Sequence, residues 1–196
     1  MSWSQWDQAG AEFGIPAEVR SELRQKLESG QPVEAMLGGS PVSTDVVVSD
    51  QWTTKINRYE DGSVAATRLE TARPGGGIGT RSISGCSTSS VSGGTRYNNC
   101  KVFTWVGTIA GSFYADYVIY TNRPDTITGY RGASFSTAPG TEAYNVSFTR
   151  PRATENSNGP AYVQLRCDYK VLGTYIGYAS WRLYVGGNSA WDEAAG

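Results

Sequence analysis

The side chains of this chain that could do acid–base chemistry are carboxylates, because its 196 residues include no histidine. Hydrolases with a histidine base and metal sites with histidine ligands are therefore excluded. Asp116 and Asp168 lie in the middle of two tyrosine-rich segments. Two carboxylates about 5–10 Å apart are the minimum for glycoside hydrolysis. The two aspartates are thus the candidate catalytic pair, and the alternative is that salt bridges with Arg166 or Arg182 occupy them structurally.

Other ligand-binding motifs are missing from the sequence. The three cysteines form no Cys-x-x-Cys pair, and the glycine-rich stretch at 75–79 has no Lys-Ser/Thr pair of a phosphate-binding loop. Three further carboxylates, of Asp125, Glu142 and Glu155, are scattered along the sequence and do not follow a calcium-loop spacing. The sequence predicts neither a cofactor nor a metal site.

Charge and hydropathy limit the partners. There are 17 basic and 18 acidic residues, which gives a net charge of −1 and no bulk attraction to nucleic acid or anionic lipid. No segment approaches the roughly 18 consecutive apolar residues that a membrane span needs. We therefore expect a protein or a carbohydrate as partner, with no nucleic acid and no membrane span. The oligomeric state is left open.

Strands are predicted by alternation of polar and apolar residues after residue 84. No helical crossover separates them, so the sheets should be antiparallel. The predicted strands are Lys101–Gly107, Ser112–Thr121, Asp125–Tyr130, Glu142–Arg150, Ala161–Leu172 and Tyr175–Gly186. The expected fold is mainly β: an antiparallel β-sandwich or flattened barrel with a small N-terminal helix and a β-hairpin.

Alternation also divides these strands into a core side and an outer side. The core sides include Phe113, Ala115 and Tyr117, then Val163 to Val171 in steps of two, and then Ala179, Trp181, Leu183 and Val185. The candidate ligand-binding residues share the outer sides: Tyr114, Tyr120, Tyr162, Arg166, Tyr178, Arg182 and Tyr184. If the strands are neighbours, these residues form one outer face together with the two aspartates. Tyrosine suits sugar stacking or a protein interface. The alternative is a solvated face stabilised by cross-strand pairs.

The N-terminal part contains a helix and a hairpin. A helix is predicted between residues 15 and 37, because Val19, Leu23 and Leu27 recur every four residues and Gly30 provides a stop. The segments Trp52–Tyr59 and Ser63–Thr71 flank an Asp-Gly turn, which predicts a hairpin. Upstream, the aromatic residues Trp3, Trp6 and Phe13 lie in a polar segment that we expect to be mobile. It is either a tail that binds a partner or a lid over the main core.

Three stretches follow from this organisation. Residues 1–72 form the helix and hairpin segment, residues 73–83 a glycine-rich linker, and residues 84–196 the β-sandwich domain. The first stretch is either a permanent accessory lobe or a pro-segment that is removed by cleavage in the linker.

The cysteines indicate whether the protein is located in an oxidising compartment. Cys86 and Cys100 flank a loop of serine, threonine, glycine and asparagine that would gain stability from a cross-link. Closing a loop of about 15 residues stabilises by about 3 kcal/mol, and disulfides persist only in oxidising compartments. The alternative is two unrelated small residues. Cys167 falls in step with a core side; the alternative is an intermolecular bond.

Several motifs resemble those of uncharacterised small secreted proteins of actinomycete-type bacteria. They are Pro41-Val-Ser-Thr44, Arg58-Tyr-Glu-Asp-Gly-Ser-Val64, Ser84-Gly-Cys86, Tyr97-Asn-Asn-Cys-Lys-Val102, Ser112-Phe-Tyr-Ala-Asp-Tyr117 and Leu183-Tyr-Val-Gly-Gly-Asn-Ser-Ala-Trp191. The resemblance implies export, a disulfide between Cys86 and Cys100, and a helix and hairpin before a β-rich domain. It implies no established activity.

Taken together, these features favour a binding protein over an enzyme. We expect a secreted, non-catalytic β-sandwich that binds a glycan or a protein through its surface, in an extracellular assembly such as a toxin or competition system. The alternatives are a histidine-free glycoside hydrolase that uses the carboxylate pair, and a structural or self-associating extracellular protein.

Overall fold

The protein is a two-sheet antiparallel β-sandwich with two helices at its N-terminus. The computed structural model describes residues 1–74 and 85–195, so the predicted linker lies, from residue 75 onward, outside the described residues. The helices are α1 (Trp3–Glu12) and α2 (Ala17–Glu28), followed by a short 3₁₀ helix, Glu34–Met36. The strands are β1 (Ser43–Val48), β2 (Trp52–Arg58), β3 (Val64–Glu70), β4 (Arg73–Pro74), β5 (Ser87–Val91), β6 (Gly94–Val106), β7 (Ile109–Tyr120), β8 (Thr126–Thr137), β9 (Thr141–Arg152), β10 (Ala161–Val171), β11 (Thr174–Gly186) and β12 (Ser189–Ala195).

The larger sheet contains β1 to β8. β6 pairs along its length with β7, and β7 pairs with β8. On its other side β6 pairs with β5 over its first half and with β3 over its second half, and β3 leads through β2 to β1. Only the two-residue pairing of β4 with β5 is parallel among the described strands. The smaller sheet has the order β12-β11-β10-β9.

The interior lies between the two sheets, on the sides that alternation assigned to the core. The predicted core residues of β10 and β11 are all buried, as are Phe113, Ala115 and Tyr117 of β7. Phe113 meets Phe148 of β9 edge-to-face at 5.2 Å, and the Trp181 indole Nε1 donates to the carbonyl of Thr104 across the sheets. The predicted β-sandwich is confirmed.

The N-terminal segment packs on the outer side of the larger sheet. Trp105 of β6 points away from the smaller sheet, and Phe13 stacks on it at 5.5 Å. Trp6 packs against the same ring, and its Nε1 donates to the carbonyl of Gly107. Trp6 and Phe13 are each 1% exposed. The aromatic residues thus form a lid over the sheet, and not a mobile tail.

The expectation that the N-terminal segment is mobile was wrong, because the segment forms helix α1 with a cap at its start. Ser2 caps α1 in a capping box: its Oγ accepts from the Gln5 N–H, and Gln5 Oε1 accepts from the Ser2 N–H. This reciprocal pair satisfies two N–H groups that a helix start otherwise leaves free. The second helix begins at Ala17 with Pro16 as its N-cap and ends at Glu28, shorter than the predicted stretch.

The predicted hairpin is present as β2 and β3, and it continues the larger sheet. Asp61 in its turn accepts hydrogen bonds from the N–H groups of Ser63 and Glu34 and lies 3.0 Å from Lys26 Nζ. Partial burial works to raise the pKa of Asp61, but these hydrogen bonds outweigh it and lower that pKa. Helix, hairpin and sheet are therefore held in one hydrophobic core. Removal of residues 1–72 as a pro-segment stays a prediction.

The disulfide between Cys86 and Cys100 is formed. The stretch between the cysteines is not the loop that its composition predicted, because it folds as the hairpin of β5 and β6, with Ser87 opposite Asn98. Cys167 is a buried free thiol in the smaller sheet, as its position in step with the core predicted. Burial raises the pKa of this thiol to about 11. Cys167 is therefore protonated at neutral pH and unreactive.

Candidate functional site

The outer side of the smaller sheet carries most of the predicted ligand-binding residues, and we call it the aromatic face. Because β10 and β11 are direct neighbours, Tyr162 lies opposite Tyr184, and Tyr184 lies opposite Trp191 of β12. The ring centroids are 5.6 Å apart in the first pair and 5.4 Å in the second, with angles of 30° and 15° between the ring planes. Arg152 of β9 lies 5.7 Å from the Tyr162 ring. One row of side chains thus crosses all four strands.

Charged and amide side chains cover the rest of the aromatic face. Arg182 Nε donates to Gln164 Oε1 at 3.0 Å. Arg166 lies 4.1 Å above the ring of Tyr178 and 3.4 Å from the carboxylate of Asp168. These pairs hold the long side chains against the sheet while leaving them partly exposed.

Two predicted members of this face lie elsewhere. Tyr114 and Tyr120 belong to β7 of the larger sheet. Arg123 covers the Tyr120 ring at 3.7 Å, and Lys101 Nζ lies 5.9 Å from the Tyr114 ring. The expectation of one shared face was wrong for them because β7 pairs with β6 and β8, and not with β10 or β11.

The structure does not bring the two candidate catalytic aspartates together. Asp116 lies on β7 between the buried residues Ala115 and Tyr117, and Asp168 lies on β10 between buried Cys167 and Tyr169. Each carboxylate therefore points away from the interior, on opposite sides of the sandwich. Two carboxylates separated by both sheets cannot act on one glycosidic bond.

Each of these aspartates instead has local partners. Arg131 of β8 binds both oxygens of Asp116, and the N–H of Asn99 donates to Oδ1 at 2.6 Å. Partial burial works to raise the pKa of Asp116, but the hydrogen bonds from Arg131 and Asn99 prevail and lower it. Asp168 accepts a hydrogen bond from Asn145 Nδ2 at 3.0 Å, besides its contact with Arg166. Both carboxylates are thus held by local partners: the expected salt bridge of Asp168 with Arg166 is present, whereas Asp116 pairs with Arg131.

A carboxylate pair that sequence reasoning missed forms at one end of the sandwich. Asp125 accepts from the N–H groups of Tyr120 and Asn188, and Glu155 accepts from those of Asp125 and Gly187. The two residues were expected to be scattered, but an isolated bridge between the segments that follow β7 and β9 brings them together. All four carboxylate oxygens accept hydrogen bonds from backbone N–H groups, so the pair ties three loops together. Glu142 lies apart, at the start of β9.

Trp191 and Tyr144 are members of the aromatic face that the sequence analysis did not predict, and Trp191 is the more exposed of the two. It is 37% exposed and ends the row of rings on β12. The sequence does contain a pattern that predicts β12. Gly187-Asn188 is a hairpin turn, and after it Trp191 and Glu193 alternate with Ala190 and Asp192.

No three Asp, Glu, Cys or His side chains within residues 1–74 and 85–195 group closely enough to hold a metal ion. No helix in that part of the chain is long and apolar enough to cross a membrane.

Comparison of the chain with protein-family models, with curated protein sequences and with solved structures gave no match. The resemblance to secreted actinomycete-type proteins therefore stays a prediction.

Proposed function

We propose that this protein is a secreted, non-catalytic binding protein whose contact surface is the aromatic face and whose partner is a protein. The observation that carries the proposal is the row of Tyr162, Tyr184 and Trp191 across the open side of the smaller sheet. Aromatic residues and arginine are enriched at the energetic centres of protein interfaces.

The ring geometry favours a protein over a glycan. Two nearly parallel rings 5.4 Å apart are too close to lie side by side in one plane, so Tyr184 and Trp191 turn faces toward each other. Cations lie over the rings of three further tyrosines: Arg152 over Tyr162, Arg166 over Tyr178 and Lys170 over Tyr144. Sugar stacking needs a free ring face. Apart from the outer ring face of Trp191 at the end of the row, ring edges, tyrosine hydroxyls and guanidinium groups remain, and these suit a polar and partly aromatic protein surface.

Preorganisation supports the same proposal. The cation and ring contacts hold the arginines and tyrosines of the aromatic face in place before a partner arrives. Because long side chains lose about 0.5–1.5 kcal/mol each when an interface immobilises them, prior ordering lowers the free-energy cost of binding.

The compartment is part of the proposal. The Cys86–Cys100 disulfide fits an oxidising environment, where such bonds persist. An extracellular partner in a toxin or competition system agrees with this, and with the resemblance stated from the sequence.

The experiment compares two double variants in cross-linking followed by mass spectrometry against secreted proteins of the source culture. Tyr184→Ser with Trp191→Ser should abolish cross-links that map to β10, β11 and β12. Tyr114→Ser with Tyr120→Ser, on the larger sheet, should retain them. Binding to a glycan array that the first double variant abolishes would replace the protein partner by a carbohydrate. Equal cross-linking by both double variants would contradict the proposal.

A further inference from the structure

The first strand of the larger sheet is an exposed apolar edge. Among the described strands, β1 pairs with β2 alone. Every residue of β1 is exposed, and the side chains of Val46, Val47 and Val48 are 63%, 53% and 72% exposed. An unprotected edge strand offers a row of free backbone donors and acceptors to another strand.

The register shows which backbone groups are free. Ser49 N–H donates to the carbonyl of Trp52 at 2.8 Å, which makes these two residues a hydrogen-bonded pair at the hairpin turn. Hydrogen-bonded pairs alternate along an antiparallel ladder, so Val47 and Asp45 bond to β2. The N–H and C=O groups of Thr44, Val46 and Val48 therefore point outward.

β1 lacks three of the usual protections of an edge strand. It has no lysine, no proline and no bulge between Ser43 and Val48. Its one charged residue, Asp45, is neutralised by Arg58 at 2.9 Å. The edge is therefore a valine-rich strand whose one charge is paired with Arg58 of the same chain, and a strand of like character fits it.

We propose that β1 pairs with β1 of a second copy of this chain, antiparallel about a two-fold axis at Val46. With the axis there, Val46 lies opposite Val46 and Thr44 opposite Val48, so all three outward residues form ladder hydrogen bonds. Asp45 then lies opposite Val47, whereas an axis at Asp45 would place two carboxylates against each other. The net charge of −1 gives little repulsion between copies. The proposal does not depend on the aromatic face, which belongs to the other sheet.

The contact is small, so the dimer should be weak and concentration-dependent. Sedimentation velocity over a wide concentration range should show the mass rising from 21.1 kDa toward twice that value and stopping there. A wild-type chain that stays at 21.1 kDa at millimolar concentration, or a mass that keeps growing past the dimer, would overturn the proposal.

Charge exchange at the axis tests the register. Val46→Glu places a carboxylate next to Lys55, its neighbour on β2, and so should leave the fold intact. In the dimer the two carboxylates would face each other and weaken association by about tenfold or more. Val46→Lys should also weaken it. An equimolar mixture of the two variants should dimerise again, since residue 46 of one copy faces residue 46 of the other.

A valine of similar exposure on the other sheet is the matched control. Val146→Glu on β9 should dimerise as the wild type does. Loss of dimerisation in Val146→Glu, undiminished dimerisation in Val46→Glu, or failure of the mixture to recover it would each overturn the proposal. Partner cross-linking through the aromatic face should be unchanged in Val46→Glu, so failure of this inference and failure of the proposed function are distinguishable.

Discussion

The two outer sides of this sandwich both carry aromatic residues, but Trp105 of the larger sheet is buried, whereas Trp191 of the smaller sheet is partly exposed. On the larger sheet, Trp105 is 1% exposed because Trp6 and Phe13 cover it. On the smaller sheet, Trp191 is 37% exposed, and its described contacts are with its own sheet. Covering an aromatic surface stabilises the fold, whereas leaving it open keeps it available to a partner. The comparison separates a face that serves stability from a face that we propose serves binding.

The largest effect should follow from removing the cover. Trp6→Ala should lower the free energy of unfolding by about 3–5 kcal/mol, because it leaves a cavity over Trp105 and an unbonded carbonyl at Gly107. Urea unfolding monitored by circular dichroism measures this. Trp191→Ala is the matched control and should change the free energy little. Equal losses of unfolding free energy in the two variants would show that the two faces do not differ in their contribution to stability.

The second prediction concerns the Cys86–Cys100 disulfide, which lies in the larger sheet. The disulfide joins Cys86 to β6 of the larger sheet, whereas the smaller sheet holds only the free thiol of Cys167. Replacing both Cys86 and Cys100 by Ser should lower the free energy of unfolding by about 2–4 kcal/mol. Thermal unfolding with and without reductant checks this. Reductant should destabilise the wild type and leave the double variant unchanged; a similar response of both would show that the disulfide is not the cause.

Asp192 lies next to Trp191 in the chain but points into the interior between the faces. Burial raises its pKa to about 7, against smaller opposite effects of hydrogen bonding with Thr67 and of the charge of Lys55. Between the usual pKa of an aspartate, about 4, and this value, the unfolded chain loses the proton first. Stability from this residue should therefore fall as the pH rises through that window and level off above it.

Asp192→Asn removes this pH dependence. At pH 8 the variant should be more stable than the wild type by up to about 4 kcal/mol, the equivalent of about three pKa units, and at pH 4 the two should be nearly equal. Chemical unfolding at both pH values measures the difference. Glu22→Gln, exposed on α2, is the control and should keep the wild-type pH profile; an unchanged pH profile in Asp192→Asn would contradict the assignment.

The smallest effect on stability should come from the open face. Tyr184→Ser should change the free energy of unfolding by about 0.5–1 kcal/mol, the usual scale of a cross-strand aromatic pair. Its effect on partner capture should be far larger, and a binding assay beside the unfolding curve compares the two. A Tyr184→Ser variant that unfolds like Trp6→Ala would mean that this face too serves stability.

Much of the fold followed from local patterns. Alternation predicted the core sides of β10 and β11 correctly, because a half-buried strand must place apolar residues at every second position. It missed β1, whose three consecutive valines do not alternate because neither side is buried. It missed the hairpin of β5 and β6, since those serines and threonines are held by pairing and a disulfide and not by a hydrophobic side.

The candidate site was predicted in part. Tyr162, Tyr178, Tyr184, Arg166 and Arg182 share a face because β10 and β11 are joined by a tight turn, which sequence reveals. β7 pairs instead with its chain neighbours β6 and β8, and the chain passes to the smaller sheet only between β8 and β9. That pairing separated Tyr114 and Tyr120 from the others, and Asp116 from Asp168.

The sequence by itself determined which way each side chain of the main strands points, since that follows from the two-residue repeat of the backbone. Only the tertiary structure decided which strands are neighbours, which outer side the N-terminal helices cover and which they leave open. Those choices depend on the packing of distant segments, of which Phe13 on Trp105 is the clearest, and no local pattern encodes it.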